Sequence, residues 1–375
     1  MKLLAVTCVA VVVLAGRSVV AQEEEVLSQV RLADMWKVVE VFSTLDRTSS
    51  SAGEREAAEY LKAQLEHYGI RHRVHEVRSY LSVPVSASLQ ILSPSNFSVP
   101  SITPSFSGST GSGGLSGELV YVGPEEPNIV TTRDEDFVDA HLEGKVALLR
   151  GYPSPRLLRE AEASGALGAV CIAPSPRLVN MIVSRVWGHP TQEEARQLTK
   201  IPVVTINETD GFRLEALGRD GRVSVRLEAE IDTGWKNIPL LVAEVPGTET
   251  PEQFVLIGNH LDAWYEGVTD SATGNASLLE VARVLHENRQ RMRRSVRIAW
   301  WPGHSTGRYS GSTWYADAFF QDLYDNAVAY LAIDSPGVRS ATAIEAEGMF
   351  EAKGFLDSVL RDKAGVEREA MRNFR

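Results

Sequence analysis

The strongest constraint on the fold lies between residues 253 and 337, where unbroken apolar runs alternate with a helical pattern. "QFVLIGNH" is an apolar strand ending at His260, "SVRIAWWPGH" a strand ending near His304, and "VAYLAIDSPG" a strand ending at Asp334. Between the first two, "SATGNASLLEVARVLHENRQ" sets Leu278, Leu279, Ala282 and Leu285 on one helical side. Apolar strands separated by helices are buried on both faces. The expected fold is therefore α/β, with a mostly parallel sheet covered by helices.

In open α/β sheets, ligands collect just outside the carboxyl ends of the strands. Here three strand ends carry His260, His304 and Asp334, and Asp270 opens the helix after the first strand. Histidine nitrogen and carboxylate oxygen together suit zinc. Asp262, two residues past His260, is placed to hold the histidine ring from outside the coordination sphere. Small residues around Asp270, including Gly267, Ala272 and Gly274, let backbone approach a compact site. Each residue also has an ordinary reading: a hydrogen-bonded loop histidine, a helix N-cap, a turn aspartate. Their coincidence on the strand ends of one sheet is what favours a metal.

A length of 375 residues allows two domains. "SSSAGEREAAEYLKAQLEHYGI" (49–70) reads as a helix with Gly69 as its C-cap, followed by strands "HRVHEVRSYL" and "VSASLQILSP". Residues 101–117, rich in Ser and Gly, read as a flexible joint and a domain boundary. Beyond it come "GELVYVG", "GKVALLRG", a helix in "RLLREAEASG", "IPVVTI" and "VSVRLEAEI", with a new run of strands from about 236. "GAVCIAP" reads as a buried strand holding Cys171.

The first residues, "MKLLAVTCVAVVVLAGRSVVAQ", carry Lys2, an apolar run too short to span a membrane, and small residues before Gln22. They read as a secretory signal cut near Ala21, which places the mature protein outside the cytoplasm, secreted or periplasmic. No later segment reads as a membrane span. Removing the signal takes away Lys2 and Arg17 and moves the net charge from −11 to −13. That balance argues against nucleic acid as a partner. The oligomeric state is not legible.

The block "GNHLDAWYEGVTDSATGNASLLEVAR" resembles the signature of the di-zinc exopeptidase family that includes bacterial aminopeptidases and glutamate carboxypeptidase II. The matching positions are His260, Asp262, Gly267, Asp270 and Gly274. "GSTWYAD" and "AIDSPG" resemble later segments of that family. Residues 117–235 resemble the protease-associated domain inserted in some members. The resemblance implies a signal peptide over 1–21, a peptidase domain split between 22–116 and 236–375, and the insert between the two parts. It implies two zinc ions, with His260 on one, Asp270 bridging, Asp334 beside His260, and Asp262 orienting His260. The implied activity is cleavage of peptide substrates by metal-activated water.

Two departures stand out. The family carries a Glu-Glu pair before Gly-Ser-Thr, a general base and then a ligand. This chain reads "WWPGHSTGRYSGST", with no acid between Arg291 and Asp317. Anchored on Trp301, His304 takes the base position; anchored on Gly311, Ser305 and Thr306 replace the pair. His304 is thus a candidate both for catalysis and for metal binding. The family's last ligand is a histidine, and no histidine follows His304. The expectation is a truncated peptidase domain completing one metal site. The competing expectation is a receptor-like binding protein of the same fold that has lost its site.

Overall fold

The computed structural model describes residues 23–124, 130–341, 344–345, 349–362 and 371–372. The expected signal segment, 1–21, lies outside them. The chain divides into two compact units, 1–334 and 335–375. The second holds helix Lys353–Asp362 and a short parallel pair, Ile344–Glu345 with Met371–Arg372.

The first unit carries helices α1 (Leu32–Phe42) and α2 (Ala52–His67), and later α3 (Pro155–Ala163) and α4 (Glu208–Asp220). Ser51 caps α2 by accepting from the Glu54 amide, and Gly69 ends it at φ 69°. Ala57, Ala58, Leu61 and Leu65 form its buried face. The sheet strands are β1 (Arg71–Ser93), β2 (Phe97–Val99), β3 (Leu115–Val122), β4 (Val146–Arg150), β5 (Gly168–Ile172), β6 (Val203–Ile206), β7 (Val223–Val245), β8 (Thr250–His260), β9 (Arg294–Trp301) and β10 (Ala327–Ala332). Their order is β10-β8-β9-β7-β3-β4-β5-β6, with β1 along β7 and β2 along β1. The runs β10-β8-β9 and β3-β4-β5-β6 are parallel, as the α/β reading expects.

Both faces of β4, β5 and β6 and of the carboxyl halves of β8 and β9 are buried, whereas β10 is exposed, and period-2 geometry decides which residue goes where. Leu241, Ala243, Ile298 and Trp300 pack with α1, α2 and α5 (Thr273–Glu287) on one face. Leu240, Phe254, Leu256, Ala299 and Trp301 pack on the other, with Tyr315 of α6 (Ser310–Ala318). In the other run, Val146, Leu148, Val170 and Ile172 face one cluster, while Ala147, Leu149, Ala169 and Cys171 face a second. Cys171 is fully buried, which pushes its thiol pKa up to about 12.

The sequence reading is corrected in the middle of the chain. The two strands expected in 72–94 are one strand of 23 residues, and so are those expected on either side of residue 234. These long strands pair antiparallel from Arg71↔Glu244 to Ser93↔Ser224 and carry the chain between the two parallel runs. Nor do the Ser/Gly residues 101–117 act as a free joint. Ile102 bridges to Thr205, Ser105 to Ile182, and Gly108 to Pro202. A Cβ on Gly108 would lie 2.1 Å from the Lys200 carbonyl oxygen, so that contact requires glycine.

This topology bears on where a separable domain could begin. A fragment starting at residue 117 lacks Leu89, Ile91 and Val99, which belong to the cluster around Leu148 and Val170. It also leaves β7 unpaired along its β1 edge. A fragment 84–235 is expected to melt cooperatively and a fragment 117–235 is not, as circular dichroism on heating would show. Equal cooperativity in both would place the boundary at the Ser/Gly stretch after all.

Candidate metal centre

Strand register sets out the site. His260 pairs with Trp301 across β8 and β9, and Gly258 with Ala332 across β8 and β10. The carboxyl ends of three strands therefore lie side by side. Leaving β8, the Leu261 amide donates to Trp301 O at 2.7 Å, and leaving β10, the Ile333 amide donates to Gly258 O at 3.0 Å. Asp334 is thus brought next to His260. Asp270 arrives on the loop before α5, held by Ser271 and Asn275, which both donate to the His260 carbonyl. A Cβ on Gly274 would lie 2.3 Å from Asn259 Nδ2, so only glycine lets α5 start this close to β8.

His260, Asp270 and Asp334 offer one ligand atom each, all within 4.8 Å of one another. His260 Nε2 is 2.7 Å from Asp270 Oδ1 and 3.5 Å from Asp334 Oδ1. The imidazole is buried, whereas the two carboxylates are 58% and 52% exposed, so the cluster opens to solvent on its acidic side. Buried Nε2 makes no well-directed hydrogen bond despite the short approach of Asp270. A tetrahedral zinc site has ligand-to-ligand edges of about 3.3 Å, given bonds near 2.0–2.1 Å. The 3.5 Å spacing is close to that edge and the 2.7 Å one is shorter, so Asp270 would draw back on binding; the donor set of one buried imidazole nitrogen and two carboxylates suits zinc. Burial opposes protonation of His260, but Asp270, Asp334 and the charge on Asp262 overcome it and push its pKa up to about 10. The carboxylates thus favour positive charge at this position, which a divalent cation would also supply.

His304 is not a strand-end residue: β9 stops at Trp301. Among the described residues its ring nitrogens are not part of the cluster. The ring instead stacks on His260, with centroids 4.2 Å apart and planes 17° apart. Burial and the neighbouring His260 charge hold its pKa low, which keeps it neutral.

Asp262 also differs from expectation. The His260 ring is oriented through Nδ1, 2.7 Å from the Asp262 backbone oxygen, and not by the carboxylate. The carboxylate accepts from the His304 and Ser305 amides at 2.9 and 2.8 Å and from the Ser49 hydroxyl at 2.8 Å. It fixes the loop that carries His304.

Three contributors escaped the sequence reading because they come from residues 47–54, with no motif to mark them. Arg47 is fully buried, and its guanidinium donates to the carbonyls of Leu261, Phe42, Glu266 and Gly267. Burial pulls its pKa down to about 10, against the charges of Asp262, Asp270 and Asp46. Ser49 holds Asp262, as above. Glu54 is fully buried, and its carboxyl pKa is raised by burial and by Asp262. A cavity of about 420 Å³ opens beside this segment, lined by Ser49, Asp232, Lys236, Trp264, Tyr265 and Thr306 among others.

The α/β sheet thus sets a His–Asp–Asp cluster able to hold a metal ion outside its strand ends. Residues 241–362 match the family model of peptidase family M28. A probable glutamate carboxypeptidase, VP8, from Zea mays is 26% identical over 347 residues, 76% of this chain and 47% of that protein. The chain spans about half the length of this relative and about a fifth of aminopeptidase NAALADL1 from Mus musculus, 33% identical over 149 residues, 39% of this chain. In fold it resembles a peptidase M28 precursor from Shewanella amazonensis, with TM-score 0.71, 20% identity, 93% of this chain and 80% of that one. It also resembles BSAP, a zinc aminopeptidase from Bacillus subtilis, with TM-score 0.64, 19% identity, 90% of this chain and 79% of that one.

Proposed function

We propose that this chain is a zinc-dependent exopeptidase acting on peptides outside the cytoplasm. The observation that carries the reading is the convergence of His260 Nε2 with Asp270 and Asp334 at a solvent-open strand edge. These three residues would hold zinc, which supplies a Lewis acid to polarise a peptide carbonyl and acidify a water. The chain's own residues do the rest. His260 is held in one orientation by the Asp262 backbone oxygen. Asp262 anchors the His304 and Ser305 amides, fixing His304 beside the cluster. His304, neutral and stacked on His260, would accept the proton released as water adds to the carbonyl carbon. It would return that proton to the nitrogen as the C–N bond breaks.

The test is hydrolysis of peptides blocked at one end or the other, with and without a chelator, in the wild type, His304→Ala and His286→Ala. Zinc retained with hydrolysis lost assigns His304 as the base. Zinc lost assigns it as a ligand. Behaviour like His286→Ala removes it from the reaction. A second reading, a binding protein of the same fold, draws on the buried Ser305 and Thr306, which, anchored on Gly311, stand where the family resemblance implies a Glu pair. No hydrolysis by a zinc-loaded wild type would favour it.

Export is proposed on the N-terminal leader pattern. Among the described residues no helix is long and apolar enough to cross a membrane. Exported material is expected to begin near Gln22, and an intact Met1 on the native product would contradict this. Residues 117–235 are proposed as a protease-associated insert, with the boundary dependence set out above.

A further inference from the structure

The loop that carries His304 is strained and is held by a distant part of the chain. Arg308 and Tyr309 follow one another at φ 45° and 66°, both in the left-handed region that non-glycine residues disfavour. Side chains in that region cost about 1–3 kcal/mol each and persist only where the surroundings over-determine them. Two sets of contacts do so here. From below, the Ser82 amide on β1 donates to Thr306 O at 2.8 Å. From the side comes Ser184–Gly188, in the connection between β5 and β6. The Gly188 amide donates to Arg308 O at 2.7 Å, and Arg308 Nη1 donates to Ser184 O at 2.5 Å.

Trp187 sits at the centre of this clasp. Its ring lies 4.7 Å from that of Tyr309, with Arg308 over it at 5.7 Å. The Tyr309 ring meets the His304 ring edge-on at 4.6 Å, and His304 stacks on His260 at 4.2 Å. A chain of rings thus runs from the metal cluster to an indole that is 62% exposed. Gly188 cannot be exchanged for a bulkier residue, since a Cβ there would lie 2.1 Å from Thr313 Oγ1. Among the described residues Arg308 has no carboxylate partner, so its order comes from Ser184 and Trp187.

We propose that Trp187, with Ser184 and Gly188, is a positioning element of the metal centre: it holds the strained Arg308–Tyr309 turn and so sets the place of the His304 ring against His260. Trp187 acts through Tyr309 and touches no ligand. The proposal rests on the metal-centre reading above but is testable apart from it.

The experiment uses the full chain labelled with ring-¹³C histidine, the His304 signal being assigned by its loss in His304→Gln. In the metal-free protein, Trp187→Ala should shift the His304 ring resonance and leave that of His286 in place. Trp187→Phe should restore it. Trp36→Ala, at an indole equally exposed on α1, should do nothing. With cobalt(II) added as the probe metal, Trp187→Ala should change the visible absorption band while still taking up cobalt. Where the protein hydrolyses peptide, kcat should fall about tenfold with KM nearly constant, a barrier increase of about 1.4 kcal/mol from the displaced His304 ring. An unshifted His304 resonance in Trp187→Ala overturns the inference whether or not cobalt binds. A wild type that takes up no cobalt counts against the metal centre, while the histidine spectra still decide the clasp.

Discussion

His260→Ala is expected to abolish specific zinc uptake. His260 is the buried member of the cluster, and among the described residues its Nε2 is the nitrogen grouped with Asp270 and Asp334. Removing an outer partner of a metal ligand costs about 10–100-fold in affinity, and removing the ligand itself should cost more, on the order of 1000-fold. The same substitution strips the cluster of its compensating positive charge and leaves two carboxylates facing each other. His286→Ala, in the last turn of α5, should titrate like the wild type. Isothermal titration of the chelator-stripped proteins with zinc distinguishes the cases. Similar affinities for His260→Ala and His286→Ala would mean that the stretch 258–276 is only a polar connection between strand and helix.

The second large effect is on stability. Arg47→Ala should destabilise the fold by about 3–5 kcal/mol, the range seen when a buried charged group is removed and its partners are left unpaired. Four carbonyls lose their donor at once, three of them in the 261–267 segment that leads to Asp270. Gly267, at φ 48°, is packed with Arg47 Nη2 only 3.1 Å from where a Cβ would stand, so the loop has little slack to find new partners. Denaturant unfolding should give a lower midpoint, and zinc affinity should fall with it. A loss below about 1 kcal/mol would mean that water replaces the guanidinium, as at an exposed arginine.

The part of this site that the sequence reveals is the part carried by strand periodicity. β8, β9 and β10 are apolar runs with obvious ends, and a parallel sheet aligns those ends, so His260 and Asp334 could be placed together before any coordinates. His304 was placed less well. Its strand ends three residues earlier, and the loop between is shaped by Asp262 and by Trp187, partners that lie 42 and 117 positions away along the chain. Nothing local encodes such contacts. The role of Asp262 was misread for the same reason, because a two-residue spacing cannot tell whether a backbone or a carboxylate oxygen meets the ring.

The long strands were hidden by residues that usually mark turns. Pro84 interrupts β1 but falls where the ladder shifts register, between Pro84 and Ser86, a place where a missing amide hydrogen is tolerated. Asp232 and Gly234 look like a turn within β7, yet pair directly with Val83 and Leu81. The Ser/Gly run at 101–117 reads as a linker from composition alone, whereas small residues there let backbone bridge to Ile182, Pro202 and Thr205.

The central claim is that His260, Asp270 and Asp334 form one metal site. X-ray diffraction from crystals grown with zinc, collected on both sides of the zinc absorption edge, tests it most directly. The account predicts an anomalous difference peak at about 2.0–2.2 Å from His260 Nε2 and from a carboxylate oxygen of Asp270 and of Asp334. A peak held by other histidines, or full-occupancy zinc elsewhere with this cluster closed by its own hydrogen bonds, would contradict it.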